Sequence, residues 1–263
     1  IVSLLILLAL IFNLTSVNES YVFNQSYKID ALSTYMKMLT VASGILVMFS
    51  SSKYLKFIKI FKIEYPILLL SAILGMMVMI SSNDLIVFYL GLEIQAMSLY
   101  VLASFNRENI FSTESGVKFF VLSALSSGLL LYGCSLIYGF SGSTNFNSIS
   151  VNNLFDAKYG ITFGIVFILV GLSFKISAVP FHMWAPDVYQ GSPTSITLFF
   201  AILPKIAALT VFIRILYVPF INLMDQWQMI IVFLSIASMI FGSIAAIGQK
   251  NLKRLIAYSS ISH

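Results

Sequence analysis

Residues 65–105 read YPILLLSAILGMMVMISSNDLIVFYLGLEIQAMSLYVLASF, 41 residues of apolar sequence divided only by Ser81-Ser82-Asn83-Asp84. A bilayer core of about 30 Å takes roughly 20 apolar residues per helix, so this stretch is too long for one span and suits two. It reads as a helical hairpin with the polar tetrad at its tip. Working outward, further candidate spans fall at 31–51, 114–139, 160–180, 194–217 and 228–248, with partial ones at 1–12 and 252–263. Composition agrees. The 263 residues are 59% hydrophobic and 10% charged, whereas an average soluble domain carries about 25% charged residues. The aromatic content of 14% excludes a disordered chain. A single cysteine, Cys134, excludes a disulfide scaffold and a cysteine-ligated zinc or iron–sulfur site. The expected class is all-α, a polytopic transmembrane helical bundle.

The chain starts at Ile1, directly in an apolar run, and stops at His263 inside what reads as a new helix. There is no basic segment or small-residue cleavage site of the kind a signal peptide has, and we expect a fragment or the product of a split gene. Loop charge gives orientation. Even-numbered loops carry Lys53, Lys56, Lys59, Lys62, Arg107, Lys250, Lys253 and Arg254, and odd ones only Lys28 and Lys158, which places the even loops on the cytoplasmic or matrix side. The net charge of +5 is then a topology signal and a headgroup contact, not a nucleic-acid footprint. Three Asn-x-Ser/Thr triplets at Asn13, Asn18 and Asn24 read as the chance product of an Asn- and Ser-rich loop.

Function is to be sought in the ionisable residues inside spans, each of which costs roughly 2.5–3.5 kcal/mol at a helix centre. Glu93 lies too deep in LIVFYLGLEIQAMSLYVL for its carboxylate to reach water. Lys175 lies five residues before Pro180, which should free the Ile176 carbonyl and break the helix there. Lys205 directly follows Pro204, which should free the Phe200 carbonyl mid-span. Broken backbone within a membrane persists only where protein or water satisfies it. Desolvation loosens a lysine's hold on its proton and a nearby carboxylate tightens it, so a lysine between these influences can be switched by moving its partner.

Lys118 reads either as an interface anchor paired with Glu114 at i−4 or as a pathway residue. Arg214 and Lys37 read as structural. His182, in PFHMWAPDVY, could relay protons or simply hydrogen-bond its proline-rich loop, and Asp187 reads as a loop or cap residue. Met76, Met77 and Met79 read as packing, as do Gly128 and Gly133. No nucleotide-binding or metal-ligand motif is visible.

In order along the chain these motifs resemble subunit 2, bacterial subunit N, of respiratory complex I, the proton-pumping NADH:quinone oxidoreductase. The stretches that carry the resemblance are 64–102, GVKFFVLSALSSGLLLYGCSLIYG at 116–139, GLSFKISAVPFHMWAPDVYQGSPTSITLFFAILPKIAAL at 171–209 and GQKNLKRLIAYSSISH at 248–263. The resemblance covers about 64–263. It implies an antiporter-like fold of two inverted repeats, each with a discontinuous helix, of which this chain holds the first and lacks the second. The implied division is N-terminal helices and a basic loop at 1–63, the first repeat at 64–217 and the truncated start of the second at 218–263.

By motif, Glu93 and Lys175 match the family's Glu–Lys pair and Lys205 its central-axis lysine. Lys118 matches a further lysine of the buried polar chain, and His182 the histidine after the broken helix. The implied function is proton translocation through this axis as a translocase subunit of NADH:ubiquinone reductase, with no redox centre in this chain. Flavin, iron–sulfur clusters and quinone would reside in other subunits. The implied partners are other membrane-arm subunits, including neighbouring antiporter-like ones and a separate chain supplying the C-terminal half, together with lipid and no nucleic acid. Residue usage rich in Ile, Phe, Asn, Tyr and Lys suggests a mitochondrial inner membrane, or a bacterial inner membrane if the source is prokaryotic. The alternative is a subunit of a multisubunit cation/proton antiporter. A third reading, a scaffold whose lysines only bind lipid or neighbours, places no proton on them.

Overall fold

The structure, a computed structural model, describes residues 4, 5, 7, 8, 11, 19–151 and 158–263. Among them a strand pair, β1 (Ser20–Val22) and β2 (Tyr27–Ile29), precedes helices α1 (Ala31–Phe57), α2 (Glu64–Ile80), α3 (Leu85–Ala103) and α4 (Ile110–Ser141). A short α5 (Phe146–Val151) leads to α6 (Lys158–Ile176), α7 (Trp184–Gly191), α8 (Thr194–Tyr217), α9 (Met224–Ile247) and α10 (Leu252–Ser262). Six helices are long and apolar enough to cross a membrane, and α2, at 17 residues, is a shorter apolar helix. The protein is a multi-pass membrane protein.

The helical hairpin expected at 65–105 is α2 and α3, packed along their length. Glycines set their approach. A Cβ added at Gly75 would lie 2.5 Å from the Gln95 backbone nitrogen and 2.7 Å from the Gly91 carbonyl oxygen. Between membrane helices such backbone contact replaces the hydrophobic drive that lipid cannot supply. Gly75→Ala is therefore expected to force α2 and α3 apart, costing about 1–3 kcal/mol. A lowered thermal midpoint of the purified protein would show this, and an unchanged midpoint would show that the crossing tolerates a methyl group. Gly133 makes a similar close approach between α4 and α6, 2.7 Å from the Gly164 carbonyl oxygen, but a Cβ at Gly128 would meet nothing within 4 Å. The packing role expected of Gly128 is thus not found among the described residues.

The tip of the hairpin is not a bare loop. Ser81, Ser82 and Asn83 are buried because the β1–β2 ribbon folds over them. Lys28 N–H donates to the Ser81 carbonyl (2.8 Å), and Asn83 N–H donates to that of Ser26 (2.9 Å). Asp84 caps α3 at the Ile86 N–H (2.7 Å) and accepts from Thr144 Oγ1 (2.5 Å). The ribbon turns through Phe23, Asn24 and Gln25 at φ between 52 and 63°, which leaves Asn24 exposed. Asn13 and Asn18 lie outside the described residues.

At the same end, Asp30 caps α1 and receives the buried Arg214 guanidinium of α8 at 2.8 and 3.1 Å. Burial works against the Asp30 carboxylate, but Arg214 and the Ser33 N–H outweigh it and hold the carboxyl below its usual range. The stabilisation is present above that range and lost as pH falls through the lowered value. Arg214 is structural, as its sequence position suggested.

Candidate functional site

Glu93 is the ninth of the 19 residues of α3, midway through the span. Its Oε1 is buried and has no hydrogen-bond partner among the described residues. Tyr89 and Tyr100 lie one turn before and two turns after it, so helical spacing puts them on its face. Lys175 occupies the last turn of α6, where free carbonyls make a helix end favourable for a cation. Its Nζ donates to Ser123 Oγ of α4 at 2.7 Å, and the Tyr100 hydroxyl donates to the same oxygen at 2.8 Å. Ser123 has no exposed surface. The described residues show no ion pair between Lys175 and Glu93. The expected contact with Glu93 is not seen there, and Lys175 holds instead a serine hydroxyl that the sequence did not single out.

The helix break expected at Pro180 is present. α6 stops at Ile176 and the helical path resumes at Trp184. Ser177 turns the chain at φ 60°, in the left-handed region, and its hydroxyl donates to the freed Ile176 carbonyl (2.6 Å). The indole of Trp184 donates to the Phe174 carbonyl (2.9 Å), and the Val179 N–H donates to Ser238 Oγ of α9 (2.9 Å). Neighbouring helices therefore supply the partners that lipid lacks, as irregular backbone at this depth requires.

The break expected at Pro204 is absent. α8 runs unbroken from Thr194 to Tyr217 with Pro204 inside it. The Phe200 carbonyl, which loses its helical donor to the proline ring, is taken by the Tyr189 hydroxyl at 3.2 Å. A tertiary donor thus repairs the bond and the helix continues. The adjacent Lys205 donates to the Ser260 carbonyl and to Ser260 Oγ of α10, both at 2.8 Å.

A cavity of about 20 Å³ is lined by Lys175, Gln95, Phe119, Trp184, Phe200 and Pro204. Its size is that of one water molecule. Gln95 Oε1 is buried there without a partner among the described residues, and a water has polar groups to bind. Lys175 and Pro204 thus share one cavity wall.

Lys118 does not belong to this axis. Its side chain is 44% exposed and pairs with Glu114 (2.7 Å) and Asp187 (3.0 Å). Asp187 also binds Arg254 of α10. Lys118 lies early in α4, on the wall of an open cleft of about 160 Å³. Asp187 is likewise more than a cap, since it ties α4, α7 and α10 together. Lys253 closes the same end by donating to the Ser192 carbonyl after α7 (2.7 Å). His182 packs against Phe241 of α9, ring centroids 4.7 Å apart, and bonds neither lysine among the described residues.

The family described as NADH:quinone oxidoreductase/Mrp antiporter, TM, matches residues 82–263 and so takes in the broken helix and both axis lysines. The chain belongs to this family. Within it, subunit N of the NADH-quinone oxidoreductase of Pelagibacter ubique is 70% identical over 261 residues, 99% of this chain and 55% of that protein. A chain of respiratory complex I from Thermus thermophilus with bound aureothin superposes with a TM-score of 0.83 at 30% identity, over 100% of this chain and 55% of that one. The Mrp complex from a Dietzia species reaches the same TM-score at 20% identity, over 99% of this chain and 51% of that one, which shows a shared fold. The antiporter-like fold implied by the sequence motifs is the observed one. The chain spans about half the length of these relatives. They are bacterial and lend no support to a mitochondrial placement.

Proposed function

We propose that this chain is a membrane-arm component of a proton-translocating NADH:quinone oxidoreductase in a bacterial inner membrane. It passes protons along Glu93, Lys175 and Lys205 and performs no redox chemistry, the flavin, iron–sulfur clusters and quinone being assigned to other subunits. Its partners are other membrane-arm subunits. The observation that carries this reading is the pair of intramembrane lysines, Lys175 at the broken end of α6 and Lys205 midway along α8 beside Pro204, with a water-sized cavity that Lys175 and Pro204 both line. Intramembrane lysines that face protein and polar cavities mark proton relays. The half-exposed Lys118 and its cleft supply a polar approach from the end that carries the basic loops, and His182 lines the broken helix.

Between a quinone reductase and a cation/proton antiporter, the 70% identity to a subunit N favours the first. Isolation of the tagged protein from its own membranes is expected to bring with it NADH-dependent quinone reduction. Co-isolation with sodium/proton antiport activity and no reductase would establish the alternative instead.

A further inference from the structure

We propose that the Ser123 hydroxyl is a second seat for the Lys175 ammonium, alternative to the Glu93 carboxylate, and that Tyr100 is the residue that positions it. The inference rests on the proton-path reading above and adds a third helix, α4, to the switch. One half-buried ammonium then has two acceptors to choose between. On the first, Ser123, Lys175 Nζ already sits at 2.7 Å. The second, Glu93, lies two turns before Tyr100 on the same face of α3 and holds a buried Oε1 with no partner among the described residues.

The serine is preset for this role. A hydroxyl oxygen accepts two hydrogen bonds, and those of Ser123 come from Tyr100 and Lys175. Tyr100 is braced edge-on by Phe119 and Phe120, with centroids 5.2 and 5.4 Å away, so its hydroxyl holds Ser123 Oγ in place whether or not the lysine is present. The lysine's seats can change while the backbone stays still. Trp184 and Ser238 anchor the segment from Phe174 to Val179, and the four-carbon stem gives the ammonium freedom to swing. The seats differ in what they do to the proton. A carboxylate holds an ammonium in its charged form, whereas a neutral hydroxyl in a desolvated site does so far less. Movement from Glu93 to Ser123 therefore converts Lys175 from proton holder to proton donor, beside the cavity that Pro204 also lines.

The test uses the assembled complex carrying Ser123→Ala, Ser123→Thr, Tyr100→Phe or Lys175→Met. In Ser123→Ala the lysine has only the carboxylate left, so a structure of the complex should show Lys175 Nζ within 4 Å of Glu93. NADH-driven proton translocation should fall about tenfold, as fits loss of a hydrogen bond to a charged group. Ser123→Thr, which keeps the hydroxyl, should restore both geometry and rate. Tyr100→Phe should lower translocation about threefold with packing intact, and it stands in if Ser123→Ala does not assemble. Translocation within twofold of wild type in both Ser123→Ala and Tyr100→Phe, or a lysine that stays away from Glu93 in Ser123→Ala, overturns the second seat. Lys175→Met separates the two levels. If it stops translocation while Ser123→Ala is silent, only the second seat falls; if both are silent, the proton-path reading falls with it.

Discussion

Lys175→Met and Lys205→Met are each expected to leave the complex assembled and to stop proton translocation through this chain. Methionine keeps the length and apolar body of the stem and removes the ammonium, so the packing survives. Exchanging a buried charge for an apolar group of similar volume also relieves its desolvation. At position 205 the loss falls on the Ser260 carbonyl, while Ser260 Oγ keeps its own bond to Ala257 at 2.9 Å, a cost of about 1–3 kcal/mol. Without a group that takes and releases a proton at mid-depth, however, the path has no relay there. Removal of a positioned acid or base slows proton transfer by about a hundredfold or more. Translocation should therefore collapse while the amount of assembled complex stays close to wild type.

The second large effect is expected at Glu93→Gln. The amide matches the carboxylate in shape and removes only its charge. Lys175 then has two neutral seats, the Ser123 hydroxyl and the amide oxygen, and nothing draws its proton back from the Lys205 side. Coupled turnover should fall about tenfold, equivalent to about 1.4 kcal/mol in the barrier, with assembly unchanged. NADH-driven quinone reduction in sealed vesicles, measured beside the complex content of the membranes, checks this. Loss of the complex itself would instead make Glu93 a structural residue.

The sequence shows its solvent most plainly. Apolar runs and polar breaks mark the spans because the bilayer imposes one length on all of them, and the span expected at 194–217 coincides with Thr194–Tyr217. What local pattern leaves open is the fate of a disturbed backbone. Pro180 and Pro204 each free a carbonyl by the same local geometry, but only Pro180 ends a helix. The difference lies in Tyr189, 11 residues from Phe200 in sequence, whose hydroxyl replaces the missing donor. The Asp187 partner of Lys118 is hidden for a similar reason, since it lies 69 residues away in sequence.

Among the site residues, Tyr100 could have been found from its spacing of seven from Glu93, which puts it on the same helical face. Ser123 could not. It is one of several serines in VLSALSSGLL, and only the meeting of α4 with α6, 52 residues apart at Lys175, singles it out. The ribbon over the hairpin tip was also hidden, because its residues read as an ordinary polar loop.

The central claim is that Lys175 and Lys205 carry protons across this chain, and the proton-to-electron ratio tests it most directly. Proton uptake into sealed inverted vesicles, measured against NADH oxidised, should give a lower ratio for Lys205→Met than for wild type at equal complex content. A wild-type ratio and rate in that variant would contradict the account and leave the lysines as anchors within a scaffold.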